Sequence, residues 1–258
     1  MSSEGTDNHL GDVNQNRTNS GEWLRVAGMT KRYGDLAALD GVGFSIRRGE
    51  ILGLIGPNGA GKTTLFECMA GLLPPTAGEL LLSGNPLSAR TRRSTLFYLP
   101  DAVTPWPAQT VRWALDFAVG FLGARGDRLD GVIEGLAIRP LLGAAIGTLS
   151  KGQRKRVLLA IGLLTSQPLL LSDEPFEGLD LRQSREVAAT LRQHAQDGRT
   201  LFLSIHQIAD AARICDRFVL LSAGKICGEG TLAELTDVVR SSRAVSAANL
   251  EEVFLALT

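Results

Sequence analysis

Hydrophobic and polar positions change their spacing several times along this chain, and each change predicts a different element. Residues 24–46 alternate between the two kinds, with turn signals at Gly34 and Gly41, so we expect short strands of an antiparallel layer. Residues 50–55 form an apolar run closed by glycines, which predicts a strand buried on both faces, as in a parallel sheet. A helix is expected from Lys62 to about residue 72, where a pair of prolines stops it.

Later segments alternate between strand-like and helix-like spacing. The strand-like segments are 79–82, 95–99, 169–173 and 200–205, with a hairpin formed by 218–221 and 225–227. The helix-like segments are 111–123, 128–138, 181–196 and the last ten residues, in which Leu250, Val253, Phe254 and Leu257 share one face. This order predicts an α/β fold with a mostly parallel sheet, an N-terminal antiparallel β-layer and an inserted helical subdomain at about 102–165.

Composition narrows the classes of function. The 258 residues carry 27 Lys+Arg and 27 Asp+Glu, and this balance gives no sign of a nucleic-acid partner. No stretch reaches the roughly 18 apolar residues that span a bilayer. Three cysteines, none in a CxxC pair, indicate a reducing cytosol. Residues 1–22 are rich in Ser, Asn and Gly, and we expect a disordered tail there rather than a signal peptide or an anchor.

A glycine-rich motif follows the apolar run at 50–55 and matches GxxxxGK[ST]. Its residues are Gly56, Pro57, Asn58, Gly59, Ala60, Gly61, Lys62, Thr63 and Thr64. Glycines permit left-handed backbone, so successive N–H groups face one concavity, and the following helix adds its positive end. Lys62 is expected to reach the β- and γ-phosphates of a nucleotide, and Thr63 to ligate Mg²⁺. A strand before the motif and a helix after it are the context of a P-loop NTPase core.

Two adjacent acids, Asp173 and Glu174, end the apolar run that begins at residue 169. Ligands of open α/β sheets bind at the carboxyl ends of the strands. We therefore expect Asp173 to hold Mg²⁺ and Glu174 to take a proton from the attacking water. His206 follows the strand at 200–205 and reaches the same edge. It is either a structural hydrogen-bonding residue or a side chain that contacts the γ-phosphate and holds the water.

The segment Leu149-Ser150-Lys151-Gly152-Gln153 is similar to the LSGGQ signature of the nucleotide-binding subunits of ABC transporters. Generic P-loop ATPases lack this element, and the chain resembles the ABC subunits over roughly residues 23–235. The resemblance implies that Ser150, Gly152 and Gln153 grip the γ-phosphate of ATP held by a second ATPase subunit. Two subunits, identical or different, would then close head to tail over two ATP molecules.

Other segments take their roles from the same resemblance. Tyr33 matches the aromatic residue that stacks on adenine, with a packed strand residue as the alternative. Gly178-Leu179-Asp180 matches the D-loop, which touches the opposite subunit and would bring Asp180 to its ATP; the alternative is a simple turn before a helix. Residues 249–258 resemble the ends of ATPases that serve bacterial drug and polysaccharide exporters, which favours export; the alternative is a packing helix without diagnostic value.

The chain departs from the family pattern at three positions. Asp101 stands where the family usually has Gln; a carboxylate is a further candidate ligand of Mg²⁺, but it lacks the amide donor. This departure bears on how the site couples to the membrane partner more than on ATP binding. Lys151 interrupts the signature with a side chain that can point outward, and Ser172 replaces a common aliphatic residue.

The resemblance implies an ATP-binding and ATP-hydrolysing subunit that energises a separate transmembrane permease from the cytoplasmic face of the cell membrane. Residues 23–238 are expected to form its ATPase domain and 239–258 a C-terminal helical tail. An alternative is a soluble ABC-type ATPase that acts on ribosomes or nucleic acid, but such chains typically carry two cassettes or long coiled-coil insertions. A second alternative, a nucleotide-binding regulator without hydrolysis, is disfavoured by Glu174 and His206.

Overall fold

The computed structural model of this chain describes residues 22–101, 103–121, 126–243 and 249–257. The strands are β1 (Glu22–Tyr33), β2 (Leu36–Arg47), β3 (Ile51–Ile55), β4 (Ala77–Leu82), β5 (Asn85–Pro86), β6 (Leu96–Leu99), β7 (Leu169–Asp173), β8 (Thr200–Ile205), β9 (Arg217–Ser222) and β10 (Lys225–Gly230). The helices are α1 (Lys62–Ala70), α2 (Ala89–Thr95), α3 (Val111–Phe121), α4 (Leu129–Gly135), α5 (Lys151–Leu164), α6 (Leu181–Gln196), α7 (Ile208–Ile214), α8 (Leu232–Arg243) and α9 (Leu250–Leu257). Apart from Glu22, the predicted tail at 1–22 lies outside the described residues.

The larger sheet has six strands in the order β10-β9-β3-β8-β7-β6. All neighbouring pairs are parallel except β10 with β9, which form the expected hairpin. Every residue of β3, β7 and β8 is buried, because helices or a second sheet cover both faces. The predicted α/β fold with a mostly parallel sheet is therefore confirmed.

The smaller sheet is the expected antiparallel layer, with strand order β2-β1-β4-β5. Gly34 lies in the turn between β1 and β2, as predicted. The expectation of a turn at Gly41 is wrong, because this residue lies inside β2. Its φ of 65° belongs to the left-handed region, so the glycine accommodates an irregularity within a continuous strand.

Two apolar cores lie on opposite faces of the larger sheet. The antiparallel sheet and α1 cover one face, where Phe202 of β8 contacts Phe44 and Phe66 with ring centroids 5.3 and 4.9 Å apart. The helices from α3 to α9 cover the other face, and Val253 and Leu250 of α9 are fully buried there. Each buried side chain of this size contributes roughly 1.5–3 kcal/mol to folding, so α9 belongs to the core.

Several helix ends differ from the sequence-based expectation. Helix α1 ends at Ala70 rather than near residue 72, since Gly71 caps it with a φ of 78° before the prolines are reached. Helix α4 ends at Gly135 rather than Ile138, and a 3-10 turn at Arg139–Leu141 follows. Helices α2, α7 and α8 were not predicted. The first two have only seven residues each, too few to show a helical period.

Helices α3, α4 and α5 lie between β6 and β7 and form the expected helical insertion in the order of the chain. Helix α8 runs across residue 238, so the predicted end of the ATPase domain falls inside a helix. Over the part of the chain that the structure covers, no helix combines the length and apolar character that crossing a bilayer requires.

Candidate active site

The loop at 56–64 connects β3 to α1, and two of its glycines are required by close packing. A Cβ atom on Gly56 would lie 2.2 Å from the carbonyl oxygen of Leu221. A Cβ on Gly61 would lie 2.5 Å from the oxygen of Ala38, and Gly61 has a φ of 106° that side chains disfavour. Gly61 starts α1 without a side-chain cap, so the first N–H groups of the helix remain available to an anion.

Lys62 is folded over this loop and is 8% exposed. Its Nζ donates to the carbonyl oxygens of Gly56, at 2.7 Å, and Pro57, at 3.3 Å. The same Nζ lies 3.8 Å from Oε1 of Glu174. A buried ammonium group is thereby held between the glycine loop and the end of β7.

The end of β7 carries Asp173, whose two carboxylate oxygens are both engaged. Thr63 Oγ1 donates to Oδ2 at 2.8 Å, and Ser204 of the neighbouring strand β8 donates to Oδ1. Hydroxyl and carboxylate oxygens are ligands that Mg²⁺ prefers, and this ion usually completes its coordination shell with phosphate and water. Among the described residues, no group of three or more His, Cys, Asp or Glu side chains could hold a metal. The Thr63 hydroxyl and the Asp173 carboxylate, 2.8 Å apart, fit a magnesium ion that arrives with a nucleotide.

Glu174 is held in a left-handed backbone conformation with a φ of 48°, which is unusual for a residue with a side chain. Its N–H donates to Ser204 Oγ at 3.0 Å, and its Oε2 accepts from the N–H of His206 at 3.0 Å. Burial raises the pKa of Glu174, and the positive charge of Lys62 offsets part of that rise. Functional sites often carry such strain and such shifted carboxyl groups.

His206 contributes its backbone to this arrangement, and its side chain is exposed. The expected contact of that side chain with a γ-phosphate stays a prediction.

Next to Asp173, Ser172 is fully buried, and its hydroxyl forms no hydrogen bond with any described residue. The unpaired hydroxyl group of Ser172 therefore lowers the free energy of unfolding by about 1–3 kcal/mol, relative to an apolar side chain of the same shape.

Asp101 follows β6 and forms an ion pair with Lys155, a residue that the sequence analysis did not single out. Lys155 lies on α5, is 3% exposed, and also donates to the backbone oxygen of Asp173 at 3.3 Å. Burial alone would raise the pKa of Asp101, but the hydrogen bond and charge of Lys155 outweigh it and hold that pKa below its ordinary value. The signal in the sequence was a lysine two residues before the apolar stretch that begins at Val157.

These groups surround one cavity of about 290 Å³. Its lining residues are Ala38, Pro57, Asn58, Gly59, Gly61, Lys62, Thr63, Thr64, Asp101, Asp173 and Glu174. The structure thus brings most of the predicted loop together with the three predicted carboxylates.

Other predicted site residues lie outside the cavity. Ser150 caps α5, with its Oγ accepting from the N–H of Gln153 at 3.2 Å. Asp180 caps α6 in the same way, accepting from the N–H of Gln183 at 2.8 Å. The two helix starts touch, since a Cβ on Gly152 would lie 2.5 Å from the oxygen of Gly178. Tyr33 is 49% exposed, and the ammonium of Lys31 lies 5.1 Å from its ring centre.

Comparison with known proteins identifies relatives of this arrangement. Residues 39–177 match the family model described as ABC transporter. The chain is 36% identical over 213 residues to "Probable multidrug ABC transporter ATP-binding protein YbhF" of Escherichia coli, covering 80% of this chain but only 37% of that protein. It is 34% identical over 218 residues to "Nod factor export ATP-binding protein I" of Ralstonia nicotianae, covering 82% of this chain and 68% of the relative.

A solved structure extends the likeness to the fold. The "Structure of ATP binding subunit of ABC transporter" superposes with a TM-score of 0.80 at 28% identity, covering 91% of this chain and 99% of the other. The segment that matches the family model, residues 39–177, contains the glycine loop, the helical insertion and the acids at 173–174. The resemblance inferred from the motifs is therefore confirmed by sequence and by fold.

Proposed function

Because this chain belongs to the ABC transporter family, as an ATP-binding and ATP-hydrolysing component, we propose that it energises export by a separate transmembrane permease. One observation carries the proposal: a single cavity joins Lys62, Thr63, Asp173 and Glu174 beside the glycine loop. Export is supported by the relatives, which are named as a multidrug ABC transporter protein and a Nod factor export protein.

Within the cavity, the backbone N–H groups of the loop and the ammonium of Lys62 bind the phosphates of ATP. Thr63 and Asp173 hold Mg²⁺, which when bound neutralises part of the phosphate charge. The carboxylate of Glu174 accepts a proton from the attacking water. The backbone N–H of His206 holds this carboxylate in place through a hydrogen bond of 3.0 Å to Oε2. Asp101 is a further candidate for the metal, and Tyr33 for the adenine.

We place Ser150, Gly152, Gln153 and Asp180 in the ATP site of a second ATPase subunit, identical or different. Their position outside the cavity of their own chain supports this arrangement. The capped starts of α5 and α6 present N–H groups at one surface, where a phosphate of the partner's nucleotide can bind.

The family and the names of the relatives support a permease partner. We assign its contact to the helical subdomain at about 102–165, which moves against the ATPase core when nucleotide binds and so passes on the motion. The chain would act at the cytoplasmic face of the cell membrane, with 23–238 as the ATPase domain, 239–258 as its helical tail and 1–22 as a disordered tail. No nucleic-acid partner is required.

The test is recovery of partners by tagged Glu174→Gln protein, with ATP present, from detergent-solubilised membranes of the source cells. This variant should bind ATP without turnover and retain a multi-span membrane protein. The matched control is Lys62→Ala, which should lose ATP binding and release that partner. Recovery of ribosomes or nucleic acid alone, with the protein absent from membranes, would support the soluble alternative instead.

A further inference from the structure

Asp101 adds a negative charge to a cavity that is expected to bind the negatively charged phosphates of ATP. Asp101, Asp173 and Glu174 bring three carboxylates to a cavity that must accept a polyanion, against the single ammonium of Lys62 among the described lining residues. An uncompensated carboxylate there would repel the phosphates, and repulsion at low effective dielectric is strong over a few ångströms. If the proposed function holds, on which this inference rests, the third carboxylate needs a fixed positive partner.

Lys155 has the position that such a partner needs. It reaches from the second turn of α5 to the end of β7, where its Nζ meets both the Asp101 carboxylate and the backbone oxygen of Asp173. Its side chain is 4% exposed and that of Asp101 is 27% exposed, so the ammonium end of the pair has little access to solvent. A lysine this deeply buried is rare unless it is paired, because an unpaired buried ammonium is costly.

We infer that Lys155 is a positioning residue for nucleotide binding, which neutralises Asp101 at the edge of the cavity. Lys155 does not itself line the cavity, so it acts on the nucleotide through the Asp101 carboxylate, and the pair adds no net charge. The partners lie on different elements, the loop after β6 and helix α5, and the pair therefore also ties the helical insertion to the nucleotide cavity.

Removal of one partner should change binding in a way that removal of both does not. Lys155→Met keeps the length of the side chain but leaves Asp101 facing the phosphates. The dissociation constant for a fluorescent ATP analogue should then rise about tenfold to a hundredfold. The rise should be smaller for the matching ADP analogue, which carries less negative charge. Lys155→Arg, which keeps the charge, should bind within about threefold of the parent.

The double variant Asp101→Gln/Lys155→Met removes both charges and should restore ATP binding to within about threefold of the parent. Asp101→Gln alone should retain ATP binding but lower the Tm, because Lys155 is left as an unpaired buried cation. Its Tm should rise again when Lys155→Met is added, an outcome that can be measured even where the single Lys155 variant folds poorly.

The matched control is Arg217→Met, which removes another buried cation, paired with Glu50 at the amino-terminal edge of the sheet. It should lower the Tm without changing the dissociation constant of the folded protein. Equal ATP affinity in Lys155→Met and the parent would overturn the inference. So would a double variant that binds as weakly as Lys155→Met, because the lysine would then be merely structural. A parent protein that binds neither nucleotide would contradict the proposed function itself.

Discussion

Two neighbouring carboxylates at the end of β7 are prepared for different tasks by their surroundings. Asp173 accepts hydrogen bonds on both carboxylate oxygens, from the hydroxyl groups of Thr63 and Ser204. Glu174 is buried with fewer donors, and its pKa is raised. Asp173 therefore lies beside a hydroxyl group that can share a cation with it, whereas Glu174 is suited to accepting a proton.

The raised pKa of Glu174 predicts a pH dependence of turnover. A general base must be ionised, so kcat/KM for ATP should fall with decreasing pH around a pKa above the ordinary value of 4.5. The measurement is a pH–rate profile, with nucleotide affinity recorded at each pH as the control. A profile that stays flat down to pH 4.5 would contradict the assignment of Glu174.

The same shift has a consequence for stability. An acid whose folded pKa exceeds its unfolded value costs stability once it is ionised, and the cost appears as pH rises through the folded pKa. Glu174→Gln should therefore unfold at a higher temperature than the parent at about pH 7, and the gap should narrow toward pH 4.5.

At the scale of elements, helix α5 is fixed at both ends by different means. Ser150 and Gln153 form a capping box at its start. At its end, the guanidinium of Arg199 donates to the backbone oxygens of Gly162, Leu163 and Thr165 at 2.6–2.9 Å. Arg199 is 7% exposed, so these carbonyl groups have little access to water.

Arg199→Met should therefore destabilise the whole protein, since the carbonyl oxygens of Leu163 and Thr165 lose this donor. The carbonyl oxygen of Gly162 keeps the hydroxyl of Thr165 at 2.8 Å. We expect the free energy of unfolding to fall by about 3 kcal/mol in a urea titration. Arg182→Met on α6 is the control, because it removes only an exposed ion pair with Glu186 and should cost less than about 0.5 kcal/mol. Equal losses in both variants would show that Arg199 does not hold this helix end.

Elements with a strong apolar pattern could be predicted from the sequence, and others could not. The buried runs of β3, β7 and β8 and the amphipathic helix α6 carry signals that no neighbour overrides. Helix α2 is almost entirely polar and depends on its cap at Ser88. Gly41 is a typical turn residue, yet the pairing of Leu39 and Val42 with β1 keeps it inside a strand.

The candidate site divides in the same way. The glycine loop and the acids at 173–174 are local patterns whose chemistry can be derived from a short segment. Lys155 was missed because its partner Asp101 lies 54 residues away, and only the packing of α5 against the sheet brings the two together. Local spacing cannot show a pair of this kind.

At the scale of the whole molecule, the cavity of one chain contains only part of the predicted site. Glu174→Gln should therefore form a dimer when ATP is added, as measured by analytical ultracentrifugation. Adding Ser150→Arg should keep the ATP affinity of the monomer within about threefold but prevent the dimer, since the new side chain obstructs the start of α5. The loss of the helix cap should cost only about 1 kcal/mol of stability.

Two controls make this outcome specific. Glu174→Gln/Lys62→Ala should stay monomeric because it lacks bound ATP, and ADP should not support dimerisation of Glu174→Gln. Dimerisation of the Ser150→Arg variant at the same protein concentration would refute a head-to-tail arrangement through the start of α5.

The strand order of the larger sheet also determines when a growing polypeptide becomes functional. Strand β3, which precedes the glycine loop, lies between β8 and β9, and these begin only at Thr200 and Arg217. During translation, β3 emerges early and keeps two unpaired apolar edges until most of the chain has been made. The nascent protein therefore acquires nucleotide affinity late in its synthesis. Before that point, bound ATP cannot stabilise the growing polypeptide.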